Sequence, residues 1–251
     1  MTPRLVAIVP AAGLSRRMGQ PKLLLDLAGR TVIARVIEAL RGAGITRCLV
    51  VVRPDDSDLI REVANAGGEV VLPATAPEDM RASVEWALRN VGRIHDETDS
   101  NRSSVGFSPR IREDHTPAWA EAHATGTLVE RANHSPQILT TPCDGWLLVP
   151  ADHPTLNPQL VQDLIAAWST KPSQIAVPVY EGQRGHPTIF PWSLAEEVFR
   201  LSPEQGLNAV LRSDPERIHE VAVSDPRVLD DLDTPEDLLR LRAELAQRPV
   251  G

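Results

Sequence analysis

The chain has 251 residues, a formal net charge of −8 and 42% hydrophobic residues, while aromatics make up 4%. That length suits one α/β domain with a substantial core. The acidic balance excludes non-specific binding to nucleic acid or to an anionic membrane surface, and no apolar run approaches the roughly eighteen residues needed to span a bilayer.

At the N-terminus the apolar stretch is too short for a signal sequence, and its basic cluster follows that stretch instead of preceding it. A cytoplasmic protein is expected. Cys48 and Cys143 lie far apart with no CxxC spacing, which fits two free thiols in a reducing compartment.

Along the chain, short β-rich runs alternate with helical periodicity, the pattern of a mostly parallel sheet with helices on both faces. LVAIV (5–9) reads as a buried strand, apolar on both sides. Thr31 then caps a helix in which Val32, Ile33, Val36, Ile37 and Leu40 recur at helical spacing. CLVVV (48–52) is a second strand, followed by a helix ending at a glycine pair; EVVLP (69–73) is a third strand. Met80, Val84, Ala87, Leu88 and Val91 give a third helix one apolar face.

From about residue 93 to 142 the periodicity fails and the composition turns polar. This segment is expected to be a surface insertion, at least partly mobile, within a single domain spanning 1–251. Four histidines fall in it, at spacings that match no metal motif. Regularity returns with WLLVP (146–150), then a helix that Asn157 caps with Pro158 at its first position. Two strands around a Gly-rich turn (175–190), helical stretches over 192–212, a strand at 218–223 and a helix capped by Thr234 complete the chain.

Chemistry concentrates in a few turns. PAAGLSRRMGQPK (10–22) leaves the first strand carrying Arg16, Arg17 and Lys22 and no acid, yet it fits neither GxxxxGK[ST] nor GxGxxG. A glycine-turned loop with arginines can grip phosphate oxygens, and in wound sheets ligands bind beyond the carboxyl ends of the strands. The same residues also suit a solvated basic turn. Asp152, just past a strand, can hold a divalent cation or simply form a turn before Pro154. If residues 228–233 are extended, Asp231 and Asp233 share a face, either of them a candidate second carboxylate, while Asp237 is a surface charge on the last helix. Gly185 and His186 lie in a turn that suits close approach to a ligand or plain hairpin geometry, with His186 packing or positioning substrate. No Ser-His-Asp or Cys-His set is evident in the sequence.

The ordered set PAAGLSRRMGQPKLLLDLAGRTV, EDMRASVEWAL, VPADHP, GQRGHPTIF and DDLDTPEDL resembles the nucleotidyltransferases related to the molybdenum cofactor enzymes, over about residues 1–92 and 143–247. Within that family, Ala12-Gly13 and Pro21-Lys22 are similar to the cytidylyl branch. Glu78 and Asp79 stand where the family commonly has a glycine.

The resemblance implies a Rossmann-like three-layer nucleotidyltransferase fold that transfers CMP from CTP to the terminal phosphate of molybdopterin cofactor, with Mg²⁺, releasing pyrophosphate. It further implies that Ala11, Ala12 and Gly13 lie against base and phosphates. Arg16 and Lys22 would bind the triphosphate, Ser83 approach the nucleotide, Asp152 and Asp231 hold the metal, and Gly185 and His186 flank the acceptor. Alternatives are GTP as donor, a sugar-phosphate acceptor, or an inactive nucleotide-binding partner of a molybdoenzyme. A nucleic-acid or membrane partner is not expected.

Overall fold

The computed structural model describes residues 2–100 and 143–246; within it, side chains are described for 2–91 and 143–245. The expected mobile insertion therefore lies, over 101–142, outside the described residues. Chain contacts group residues 1–90 with 142–251, and residues 91–141 separately.

The first grouping is built on one mixed sheet. Its strands are β1 (Leu5–Pro10), β4 (Arg47–Val51), β5 (Glu69–Val71), β6 (Gly145–Leu148), β7 (Ile175–Tyr180), β8 (Gln183–Arg184), β9 (Thr188–Pro191) and β10 (Ile218–Ala222). Their order is β10-β7-β9-β6-β1-β4-β5, with β8 paired to β7. β6, β1, β4 and β5 run parallel, and β10 runs parallel to β7. β9 is antiparallel to both β6 and β7. A small hairpin, β2 (Asp26–Leu27) with β3 (Arg30–Thr31), stands apart from the sheet.

Among the described residues, seven helices accompany these strands: α1 (Val32–Gly42), α2 (Ser57–Asn65), α3 (Met80–Ser100), α4 (Pro158–Ser169), α5 (Ala195–Arg200), α6 (Asn208–Ser213) and α7 (Pro235–Ala246). Local chemistry sets their starts. The Ala34 amide donates to Thr31 Oγ1 at 3.2 Å, and the Gln159 amide to Asn157 Oδ1 at 2.9 Å. Thr234 and Asp237 cap α7 reciprocally: the Asp237 amide donates to Thr234 Oγ1 at 3.2 Å and the Thr234 amide to Asp237 Oδ2 at 2.8 Å. Asp237, expected as a plain surface charge, is thus a structural cap. α3 runs eight residues beyond the sequence-based boundary at 92, because no proline intervenes in that stretch to stop helical hydrogen bonding.

Both faces of β1 are buried: Ala7 and Val9 on one, Val6 and Ile8 on the other. The first pair shares a core cluster with Val36 and Leu40 of α1, Val63 of α2, Leu164 of α4 and Leu241 of α7. Ile8, Trp146 and Phe190, with Val84 and Leu88 of α3, are buried without belonging to that cluster. Cys48 and Cys143 are free thiols, and burial pushes the Cys48 thiol up to about 12. Among the described residues, no helix is long and apolar enough to cross a membrane.

Candidate active site at the carboxyl edge of the sheet

A cleft of about 490 Å³ opens where β1, β4, β5 and β6 end. Its walls are the loop after β1 (Pro10–Arg17), Arg53 after β4, the Pro77–Met80 turn with Ser83 at the start of α3, and Pro150–Asp152 after β6. Lys22 and Asp233 also line it. These are the positions at which a wound parallel sheet receives a ligand, because successive strands release their loops on one edge.

The loop after β1 is held in shape from within. Ser15 adopts φ +49° and Gly19 φ +70°, and the amides of Met18 and Gly19 both donate to the Ser15 carbonyl at 3.1 Å. Glycine suits this second left-handed position because it has no Cβ to clash. Met18 is buried and anchors the loop on the core. Ser15 Oγ accepts the Lys22 amide at 3.2 Å, so the loop's turn and its lysine are fastened together. Ala12, Gly13 and Arg16 line the cleft alongside Ala11. Arg16 is exposed and makes no ion pair among the described residues.

Lys22 Nζ lies 2.6 Å from Asp152 Oδ2 and 2.9 Å from Asp233 Oδ1. The other oxygen of Asp233, Oδ2, meets Arg17 at 2.8 Å. Burial alone would lower the Lys22 pKa, but the charges and hydrogen bonds of the two carboxylates outweigh it and raise it above the usual lysine value. Asp152 is fixed through its backbone, since its carbonyl accepts the Leu232 amide at 2.9 Å. Arg35 of α1 braces the same turn by donating to the Pro154 carbonyl at 3.1 Å.

Of the two candidate second carboxylates, only Asp233 lines the cleft. Asp231 is exposed and lies outside that lining. The extended run assumed for 228–233 is broken by a short 3-10 turn at Pro226–Leu229. Leu232 is buried, and its amide donates to the Asp152 carbonyl. Asp230 accepts from Thr155 Oγ1 at 3.2 Å and from Arg240 at 3.0 Å.

Ser83 is buried in the cleft wall and donates to the Asp79 carbonyl at 3.1 Å. Asp79 accepts the Ala82 amide at 2.7 Å, so one of the two acids replacing the family's usual glycine serves as the cap of α3. Sequence reasoning counted Arg17 among the loop's phosphate-gripping cations but did not foresee its pairing with Asp233, and it gave no site role to Arg53. Arg53 was detectable as an arginine two residues past a buried strand; it is held by Asp55, Nε to Oδ1 at 3.0 Å.

Gly185 and His186 fall outside the lining of this cleft. His186 stacks edge-on against His153, with ring centroids 5.5 Å apart, next to Asp152 in the chain. The glycine has a packing reason: a Cβ at 185 would sit 2.3 Å from the Val228 carbonyl oxygen. Gly185→Ala is therefore expected to lower stability by about 2 kcal/mol, through displaced backbone. A denaturant midpoint equal to the parent's would refute this.

His186 Nδ1 is buried without a hydrogen-bond partner among the described residues. Burial, and then the neighbouring His153, push its pKa down to about 4 from an ordinary 6.5. Burial also lowers His153, against the opposing pull of Asp152 and Asp231. The unfolded chain thus takes up a proton on His186 that the folded chain refuses between about 6.5 and 4. Its stabilising share is complete above the upper value and is lost as pH falls toward the lower. In urea titrations from about pH 7.5 down to 4.5, His186→Gln should lose stability less steeply than the parent. Equal slopes would refute the assignment.

Among the described residues no group of three or more His, Cys, Asp or Glu side chains is placed to hold a metal ion. The cleft supplies a carboxylate pair instead, beside a loop rich in cations. A wound sheet that gathers these groups at one edge has the architecture of an α/β nucleotidyltransferase fold. The chain belongs to the MobA-like NTP transferase domain family, whose profile matches residues 7–221.

It is 41% identical over 93 residues to a 2-C-methyl-D-erythritol 4-phosphate cytidylyltransferase of Frankia casuarinae, covering 36% of this chain and 34% of that protein. A 3-deoxy-manno-octulosonate cytidylyltransferase of Maricaulis maris is 36% identical over 54% of this chain and 48% of its own length. The chain thus spans half or less of these two relatives. Among solved structures, Rv0371C of Mycobacterium tuberculosis in complex with manganese aligns with TM-score 0.63 at 22% identity, over 96% of this chain and 98% of the other.

Proposed function

We propose that this chain transfers a cytidylyl group from CTP to the terminal phosphate of molybdopterin cofactor and releases pyrophosphate. The observation that carries the nucleotidyl-transfer reading is the Lys22 ammonium shared between Asp152 and Asp233, opposite an uncommitted Arg16. Cytosine as the base is supported by the cytidylyltransferases among the relatives and by Ala12-Gly13 and Pro21-Lys22 in the loop. Molybdopterin cofactor as acceptor rests on the ordered sequence resemblance.

In this reading an acceptor phosphate oxygen attacks the α-phosphorus of CTP. The new P–O bond forms as the bond from the α-phosphorus to the bridging oxygen breaks, and pyrophosphate carries away the electron pair. Arg16 and Lys22 neutralise the triphosphate, which lets a second polyanion approach. The loop amides around Gly13 and the wall at Ser83 orient the nucleotide. No side chain is required as a covalent nucleophile.

Two carboxylates make a hard oxygen donor set, which fits Mg²⁺ or Mn²⁺ completed by water and substrate phosphates. Asp152 and Asp233 would hold the ion, and the manganese complex of Rv0371C supports a divalent requirement. When bound, the ion supplies further charge neutralisation at the phosphates.

The test is pyrophosphate release with CTP, GTP, ATP and UTP across phosphorylated acceptors in the presence of Mg²⁺. Turnover with CTP and molybdopterin cofactor is the expected result. Release with GTP alone would overturn the base, release only with another acceptor would overturn the acceptor, and no turnover at all would overturn the reading.

A further inference from the structure

The carboxylate pair is already neutralised by the protein. Two negative charges, Asp152 and Asp233, face two positive ones, Lys22 and Arg17. These cations differ in their surroundings: the Lys22 side chain keeps 15% of its exposure and Arg17 keeps 74%. Lys22 thus lies between the carboxylates, in the space a shared divalent ion would need, whereas Arg17 reaches one of them from outside.

We infer that Lys22 is the resident counter-ion of the Asp152–Asp233 pair and excludes a free divalent cation, so that the metal enters only together with the nucleotide's phosphates. This inference rests on the reading of the cleft as a nucleotidyl-transfer site.

The physical argument has three parts. First, a free divalent ion approaching a neutral group of four charges gains little net attraction, and it would meet an ammonium at contact distance. Second, the protein offers two carboxylates where a hard ion needs about six oxygens, and among the described residues no third acid or histidine joins them. Triphosphate oxygens supply the missing donors. Third, the same triphosphate gives the ammonium somewhere to go. Lysine is a compact charge on a flexible four-carbon stem, so Nζ can leave the carboxylates for a phosphate while the backbone stays pinned by Ser15 Oγ. In such an exchange every charge would stay paired, with Asp152 and Asp233 holding the metal and Lys22 a phosphate.

Binding of Mn²⁺ to the full chain without nucleotide, read from the electron paramagnetic resonance signal of free Mn²⁺, tests this directly. Lys22→Met should bind Mn²⁺ at least ~10-fold more tightly than the parent, since a like charge has been removed from the site. Lys22→Gln, which is neutral yet still able to donate to a carboxylate, should show the same direction and serves if the methionine variant misfolds. Adding Asp152→Asn to either should abolish the gain.

Equal or weaker Mn²⁺ binding by both Lys22 variants overturns the inference. So does a gain that survives Asp152→Asn, because the ion would then be bound elsewhere. These arms contain no nucleotide and read the carboxylate site alone. Failure of every nucleotide to turn over would instead sink the functional reading while leaving the Mn²⁺ comparison intact.

Discussion

Asp152→Asn is expected to lower pyrophosphate release by ~10²–10³-fold, the scale on which one preorganised electrostatic contact acts on a charged transition state. Asparagine keeps the shape and one hydrogen-bond acceptor but removes the negative charge 2.6 Å from Lys22. The carbonyl that receives the Leu232 amide belongs to the backbone and is untouched, so the turn should hold its course. The paired control is Asp231→Asn, an exposed position outside the cleft lining, which should leave turnover near the parent's. Steady-state kinetics with CTP and acceptor, beside a thermal melt of each variant, separates lost chemistry from lost folding. Similar losses in both variants would show that the second carboxylate has been misassigned.

Trp146→Ala should be the costliest core substitution, at about 4 kcal/mol of stability. Trp146 is fully buried in β6 and stacks on Phe190 of β9, centroids 4.2 Å apart and planes 8° from parallel. The pair sits at the antiparallel junction where Trp146 registers with Phe190. Truncation leaves a cavity there that the closely packed sheet cannot close. A fall in Tm of about 10 °C is expected for a chain of this size. Trp146→Phe sharpens the test. Trp146 Nε1 is buried without a partner among the described residues, so a phenyl ring gives up area but also removes an unsatisfied donor. Its cost should be well under half that of alanine. If the two substitutions cost the same, stacking on Phe190 is not what holds β6 to β9.

Where short-range chemistry decides, the sequence was a sufficient guide. Thr31, Asn157 and Thr234 cap their helices as their residue types and following residues require. Apolar runs at 5–9, 48–52 and 146–150 became strands buried on both faces because β-rich segments without polar alternation must be covered twice. The Ser15–Lys22 connection, and the presence of Asp233 but not Asp231 in the cleft lining, needed three dimensions. The Pro226–Leu229 turn breaks the assumed extended run before Asp230, and the exposure of Asp231 beside a half-buried Asp233 then shows only in the structure. Nor could spacing show that Gly185 is required by the carbonyl of Val228, 43 residues further along the chain. The antiparallel pairing of β9 with β7 follows from two strands joined by a Gly-rich turn, whereas its insertion beside β6 needed the structure.

That reversal at β9 bears on how this scaffold can vary. A parallel crossover has to pass back along the sheet, usually through a helix, which fixes its length against the core. Here β7 turns directly into β8 and β9, and the bend at Glu181–Gly182 is exposed, with open space around Gly182. Residues can be added or exchanged at that tip without any strand changing its neighbours. The chain thus carries, one short hairpin away from the paired rings of His186 and His153, a tip whose length and residues can change while the strands that hold the cleft keep their places.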